Sequence, residues 1–263
     1  MNVQILGCIE LRATDGGNIP VSPTVGRLLA TLAWSANSFV TDEDTIGRVW
    51  ESRAPARPRD ALYTVATRLR KALHAVAAPD TPCDVVRRPG GYTLVAAEET
   101  VDVLRFRALV RQARNAQCRG EEEAALEFYE RALALCHGRP LSGVRTAWAE
   151  AARVTFGQEL RAARINSAEL ALGLGRCDDY VPLLHELAGA HPLDERIASL
   201  LMLALYRSGR QDEALRCFRS TRSRFVAELG VEPGGRLRTL HERILRRDET
   251  VHGGRPVWAA MAS

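Results

Sequence analysis

The sequence predicts a mainly α protein with a small β component, built from two domains. Three observations predict it. Strand-like alternation is confined to the first hundred residues, amphipathic helical spacing runs through the rest, and glycines recur at one period in the second half. At 263 residues the chain is too long for one small domain and comfortable for two, and its 46% apolar and 26% charged composition is that of an ordinary globular protein. No apolar stretch is long enough to span a bilayer, and Met1-Asn2-Val3-Gln4 lacks the basic start of a secretory signal, so no membrane association is expected. The six cysteines are scattered without metal-binding spacing. They read as small buried hydrophobes in a reducing cytoplasm, with no metal or other cofactor expected.

Taken in order, Val3, Ile5, Ile9 and Leu11 alternate, and a turn at Asp15-Gly16-Gly17-Asn18 leads to Ile19 and Val21, predicting short antiparallel strands. Ser22-Pro23 opens a first helix that carries Val25, Leu28, Leu29, Leu32 and Ala33 and stops near Asn37. A second helix starts at Thr41-Asp42-Glu43-Asp44, acid-rich where the dipole prefers it, and places Ile46, Val49 and Trp50 on one side. After a loop rich in Pro and Arg, Glu51 to Pro58, comes a third helix, Arg59 to Val76.

That third helix sets Leu62, Val65, Ala66, Leu69, Leu73 and Val76 in one stripe about 100° wide. Its opposite side carries Asp60, Thr64, Thr67, Lys71 and His74, flanked by Tyr63, Arg68 and Arg70. Cys83–Arg88 and Tyr92–Val95 then form two strands about Pro89-Gly90-Gly91, with Arg87 and Arg88 near the tip. Strands, three helices and a basic hairpin in this order make a winged helix. Net charge is only +4, yet between Arg53 and Arg88 eight cations face Asp60, Asp80 and Asp84, an excess of five. Charge alone does not separate a solvated helix face from a phosphate-contacting one. Hydroxyls beside cations on one helix face are, however, the chemistry that a major groove accepts.

Gly47-x-x-Trp50, Arg59-Asp60-Ala61-Leu62, Thr67-Arg68-Leu69-Arg70-Lys71-Ala72-Leu73 and Pro89-Gly90-Gly91-Tyr92 resemble the OmpR-type DNA-binding domain of the Streptomyces antibiotic regulatory proteins. The resemblance implies a third helix in the major groove, with Arg68 and Arg70 at the family's helix arginines, and a wing on the DNA backbone. Candidate DNA-contacting residues are then Arg59, Tyr63, Thr64, Thr67, Arg68, Arg70, Lys71, Arg87 and Arg88. The two threonines are the candidates for base contact, and the cations are assigned mainly to phosphate. Glu51, Ser52, Arg53 and Arg57 fall in the loop that this family turns toward RNA polymerase and its sigma factor. The resemblance also implies a homodimer on direct repeats of double-stranded DNA upstream of promoters, in the cytoplasm at the nucleoid, activating a secondary-metabolite (antibiotic) gene cluster.

From Val101 the periodicity is helical: Val103, Phe106, Leu109, Val110 and Ala113; then Ala125, Phe128, Tyr129, Ala132 and Leu133; then one long helix from Ala147 to about Leu172, with Trp148, Ala152 and Leu160 inward. Gly175 and Gly209 are 34 residues apart, the tetratricopeptide period. In register, Leu172 matches Tyr206, Tyr180 matches Ala214 and Leu184 matches Phe218, and Ala125 and Tyr129 stand at the same offsets from Gly120. An all-α helical-repeat domain follows the winged helix. Leu200–Leu215 and Glu228–Gly234 resemble the bacterial transcriptional activation domain of the same regulators. The expected division is 1–98, 99–247 and a mobile tail 248–263, in the short form of the family.

Enzymatic signatures are missing. There is no phosphate-cradling Gly-x-x-x-x-Gly-Lys loop, no Gly-x-Ser-x-Gly and no His-Glu-x-x-His, Lys71 is the sole lysine, and the six histidines are dispersed. The alternative to a DNA-binding activator is a helical-repeat protein-binding scaffold with a merely structural N-terminal domain.

Overall fold

The computed structural model describes residues 1–13, 16–76 and 83–251. It is mainly α with small antiparallel sheets near the N-terminus. The chain gathers into two compact units, one of Met1–Asn115 with Phe128–Arg161 and one of Ala116–Glu127 with residues 162 onward. The expected boundary at residue 98 follows the change from strand to helix pattern, and the two contact units interleave along the chain.

In the first unit, β1 (Asn2–Gln4), β2 (Glu10–Arg12) and β3 (Asn18–Ile19) form one antiparallel sheet in that order. Val3 pairs with Leu11 and Leu11 with Ile19, so the alternating apolar positions share a face, and Val3 and Leu11 are fully buried. Asp15, in the expected turn, lies outside the described residues. Helix α1 (Pro23–Trp34) has Pro23 in its first turn and an extended Ser22 before it, although the Ser22 hydroxyl makes no capping bond. Val25, Leu28, Leu29, Leu32 and Ala33, the apolar positions read from the sequence, are all buried.

Asn37, expected as a simple stop, does more. It takes a positive φ of 64°, donates its backbone N–H to Leu94, and pairs its side-chain amide with both N–H and C=O of Ala96 (3.0 and 2.9 Å). One short side chain thereby satisfies main-chain groups at the end of a strand. Next come β4 (Val40–Thr41), unforeseen because two residues carry no period, and α2 (Asp42–Trp50), α3 (Pro58–His74), β5 (Cys83–Arg88) and β6 (Gly91–Ala96). The second sheet runs β4-β6-β5.

Chain from much later completes this unit. Thr100 accepts the Val3 N–H, and the Asp102 carboxylate, 5% exposed, accepts the N–H groups of Ile5, Leu6 and Val103 at 2.7, 2.7 and 2.8 Å. Residues 137–142 close over the same stretch. His137, Leu141 and Ser142 donate their N–H groups to Leu6, Ile5 and Gly7. Arg153, in α6 (Ala147–Gly173), holds that loop through the carbonyls of Pro140, Leu141 and Val144. Trp34 meets Trp148 and Phe156 edge-on, with ring centroids 6.4 and 6.0 Å apart.

The second unit contains α7 (Cys177–Ala190), α8 (Glu195–Arg207), α9 (Gln211–Leu229) and α10 (Gly235–Leu245). Gly120 follows α4 (Asp102–Cys118) and precedes α5 (Glu122–Leu133); Gly175 lies between α6 and α7, and Gly209 between α8 and α9. All three adopt φ of 75–79°, and each turn makes the same two bonds. The glycine N–H reaches the carbonyl three residues back (Gln117, Leu172, Tyr206), and the next N–H reaches five back (Ala116, Ala171, Leu205). That is the Schellman helix stop, whose left-handed residue favours glycine. The positions paired by sequence register are all buried: Ala125, Tyr180 and Ala214; Tyr129, Leu184 and Phe218; Leu172 and Tyr206.

Two expectations are corrected. Cys8 and Cys118 are exposed, so only part of the cysteine set behaves as buried hydrophobe. The segment expected as tail from residue 248 opens with a single 3-10 turn, Glu249–Val251, whose Val251 is fully buried and accepts a hydrogen bond from Arg207 Nε (2.8 Å). Residues 252–263 lie outside the described ones.

Candidate nucleic-acid interface

Helix α3 is built to present one face. Pro58 pre-sets its first turn, and Asp60, whose role the sequence left open, sits in that turn where the dipole favours a carboxylate. Leu62, Val65, Ala66, Leu69 and Leu73 are at most 8% exposed. Across from them Arg59, Tyr63, Thr64, Arg68 and Lys71 are exposed, Tyr63 at 63%, and Thr67 is half-buried. The hydroxyls of Thr64 and Thr67 donate to the carbonyls of Asp60 and Tyr63 (3.0 and 2.9 Å). Their protons are thus engaged within the helix, while lone pairs and γ-methyls remain.

The cations separate into two groups that charge counting could not distinguish. Arg70 is half-buried and its Nε donates to the Val85 carbonyl at 2.6 Å, binding α3 to β5. His74 Nε2 lies 3.2 Å from Asp84 on the same strand. Arg87 forms a two-pronged pair with Asp42 at the start of α2, with Nη2 to Oδ2 at 2.8 Å, and its guanidinium lies 4.5 Å from the Tyr92 ring centroid. The Arg87 hydrogen bonds hold the Asp42 carboxyl below the ordinary carboxylate range, and the same pairing raises Arg87. Arg59, Arg68, Lys71 and Arg88 are exposed and make no ion pair among the described residues.

The hairpin is pinned at its turn end. Asp42 N–H donates to Gly90, β4 pairs Val40 with Tyr92, and Gly91 lies so close to β4 that an added Cβ would stand 2.2 Å from the Val40 carbonyl oxygen. Only glycine allows that approach. Phe39, half exposed, covers the same glycine. Asp42, Phe39 and Tyr92 escaped the sequence reading as site residues. The acid-rich start of α2 is accounted for by the dipole alone, and nothing in local spacing points to a partner 45 residues away.

The loop after α2 divides similarly. Glu51, at φ 52°, begins a 3-10 turn, Glu51–Arg53, and its Oε1 accepts the N–H of Ala147 at 2.9 Å, capping α6. Arg48 stands 5.2 Å from the Trp148 ring centroid beside it. Ser52, Arg53 and Arg57 are exposed. Among the described residues no group of three metal-ligating side chains converges, and no helix is long and apolar enough to cross a membrane.

The bacterial transcriptional activator domain profile matches residues 101–245. The transcriptional regulator RedD of Streptomyces coelicolor is 32% identical over 260 residues, 98% of this chain and 74% of the relative. Regulatory protein DnrI of Streptomyces peucetius is 30% identical over 268 residues, 100% of this chain and 98% of the relative. Regulatory protein AfsR of S. coelicolor is 36% identical over 228 residues, but the match spans only 22% of that longer protein. A solved structure of Mycobacterium tuberculosis EmbR, in complex with a low-affinity phosphopeptide, superposes with a TM-score of 0.83 at 27% identity, covering 95% of this chain and 68% of that one.

Proposed function

The chain belongs to the Streptomyces antibiotic regulatory protein family, whose members join a DNA-binding domain to a bacterial transcriptional activator domain, and from that membership we propose that it is a sequence-specific DNA-binding activator of a secondary-metabolite gene cluster. The observation that carries the proposal is the opposition of faces on α3: a buried apolar stripe against an exposed face with Arg59, Tyr63, Thr64, Arg68 and Lys71, and on the neighbouring wing an exposed Arg88 with no ion pair among the described residues. Laid in a major groove, Thr64 and Thr67 meet base edges. Arg59, Arg68, Lys71 and Arg88 meet phosphates on either side.

Arg87 and Arg70 act one step removed in this mechanism. They fix the wing and the strand against the helix, so that Arg88 is carried at a set distance from it. Two copies sit side by side on a direct repeat, at the nucleoid. Ser52, Arg53 and Arg57, on the exposed part of the loop, face RNA polymerase and its sigma factor, while Glu51 anchors that loop to α6. No step calls for catalysis by the chain itself.

A gel-shift and footprint on the DNA upstream of the adjoining gene cluster test the proposal. The expected outcome is protection of two equally oriented half-sites with competition by specific DNA far exceeding that by random DNA. Binding equally strong to any duplex would remove the activator assignment, and no binding even at low salt would leave the protein-binding scaffold in its place.

A further inference from the structure

The α9–α10 hairpin carries a surface that the DNA-binding proposal does not use. Four of the eight exposed large hydrophobic side chains among the described residues gather there: Val226, Leu229, Val231 and Leu245, each 48–54% exposed. Between the helices runs a groove of about 760 Å³. Its lining includes Leu215 and Phe218, and the His241 ring stacks flat on Phe218 with centroids 3.8 Å apart. Scattered surface hydrophobes are ordinary; a gathered set beside an apolar groove is the mark of an interaction surface.

The charge around the groove selects the partner. Residues 210–248 hold ten arginines against six acidic residues. Four of the arginines are paired: Arg210 with Glu213, Arg216 with Asp212, Arg222 with Glu232, and Arg243 with Asp248. Of the other six, which make no ion pair among the described residues, Arg219 lines the groove and Arg238 acts on the groove's Glu232, while Arg224 lines a separate cavity; the two remaining carboxylates are Glu228 and Glu242. On the groove itself the Arg222–Glu232 pair cancels, and Arg219 is left exposed on the rim. A nucleic acid would suit the arginines but would leave four apolar side chains against water or phosphate. An apolar helix would suit the groove but leave the cations unanswered.

We propose that the α9–α10 groove docks an amphipathic helix of a partner protein, with apolar side chains seated over Phe218, Val226 and Leu245 and acidic side chains along the edge that faces Arg219. This is the helix-in-groove form of recognition, in which spaced apolar anchors supply affinity and flanking charge supplies register.

The test uses the full chain and a fluorescein-labelled 18-residue peptide, with leucine at helical i, i+3, i+4 and i+7 spacing and glutamate elsewhere. A second peptide replaces every glutamate by lysine. Fluorescence anisotropy should show the glutamate peptide binding at least tenfold tighter than the lysine peptide. Val226→Asp with Leu245→Asp should weaken binding at least tenfold. Both positions are half exposed, so far-ultraviolet circular dichroism and the operator gel-shift should stay unchanged. Arg219→Glu should narrow or reverse the preference between the peptides. Equal affinity for both peptides, or binding that survives the double aspartate variant, overturns the proposal. So does a 20-base-pair duplex that competes through Arg219 but not through Leu245, or self-association of the chain that the double variant abolishes. A lost gel-shift alone would count against DNA binding and leave the peptide result to be read separately.

Discussion

At the scale of single residues, the pairing of Arg87 with Asp42, and an exposed Arg88 with no ion pair among the described residues, support opposite roles for the two neighbours. Arg88→Ala should lower affinity for all sequences alike and reduce the slope of log affinity against log salt by about 0.9, the value for one lost phosphate contact. Arg87→Ala and Asp42→Asn should each disturb wing placement, and their effects should not add when combined, because each removes the same pair. Additive losses would return Arg87 to direct contact. The committed hydroxyl protons of Thr64 and Thr67 leave acceptor lone pairs and γ-methyls to face a base, and the methyl's natural counterpart is the C5-methyl of thymine. Uracil in place of thymine at the contacted steps should weaken wild-type binding but not that of a Thr64→Ser, Thr67→Ser variant; equal sensitivity of the two would exclude methyl contact. Asp102 gives a pH signature. Burial outweighs its three N–H bonds and raises its carboxyl from the ordinary 3.8 to about 6. A raised folded value means the folded state binds the proton more tightly. The contribution is therefore full below about pH 4 and lost as pH rises through 6, about 3 kcal/mol in all. Measured by urea unfolding, the stability difference between Asp102→Asn and wild type should shift by that amount over this window and be level outside it; a level difference throughout would refute the assignment.

At the scale of elements, what the sequence revealed depended on whether the governing contacts were local. The α3 stripe, the three glycine stops and the two wing strands follow from spacing within one element or one turn, and they stand where spacing put them, except that Val76 falls past the helix end at His74 and is only half-buried. Strand β4 was illegible because two residues hold no period; it exists through its ladder with β6. The division of the basic residues into paired and unpaired was equally hidden, since Arg70 and Arg87 find partners on other elements. Glycines also differ in what they tolerate. Gly209→Ala meets open space and should cost only the left-handed backbone, about 1–2 kcal/mol. Gly91→Ala drives a methyl against the Val40 carbonyl, so it should additionally break the β4–β6 pairing and weaken binding to every DNA sequence. Thermal melting and gel-shift of the two variants check this; a Gly91→Ala protein that binds normally would show that the turn end of the wing need not be closed against β4.

At the scale of the molecule, the change of pattern near residue 98 is real but is not where the first unit ends. The buried backbone of residues 5–7, outside the strand ladders, takes acceptors and donors from Asp102 and from 137–142, and Trp34 packs on Trp148 and Phe156. Those partners lie as far apart as Ile5 and Leu141, beyond the reach of any periodicity. A fragment of residues 1–98 should accordingly melt lower and be cleaved faster by protease than a fragment of 1–161, which keeps all of these contacts. Equal resistance would show the winged helix to be self-sufficient. The closure of residues 137–142 over the N-terminal strand also sets a schedule for synthesis. At about 5–20 residues per second, the ribosome needs roughly 8–30 s to reach residue 161. Until then the start of the chain has left the exit tunnel without the segment that seals it, so a chain that ends before that point should be cleaved by protease faster than the full chain.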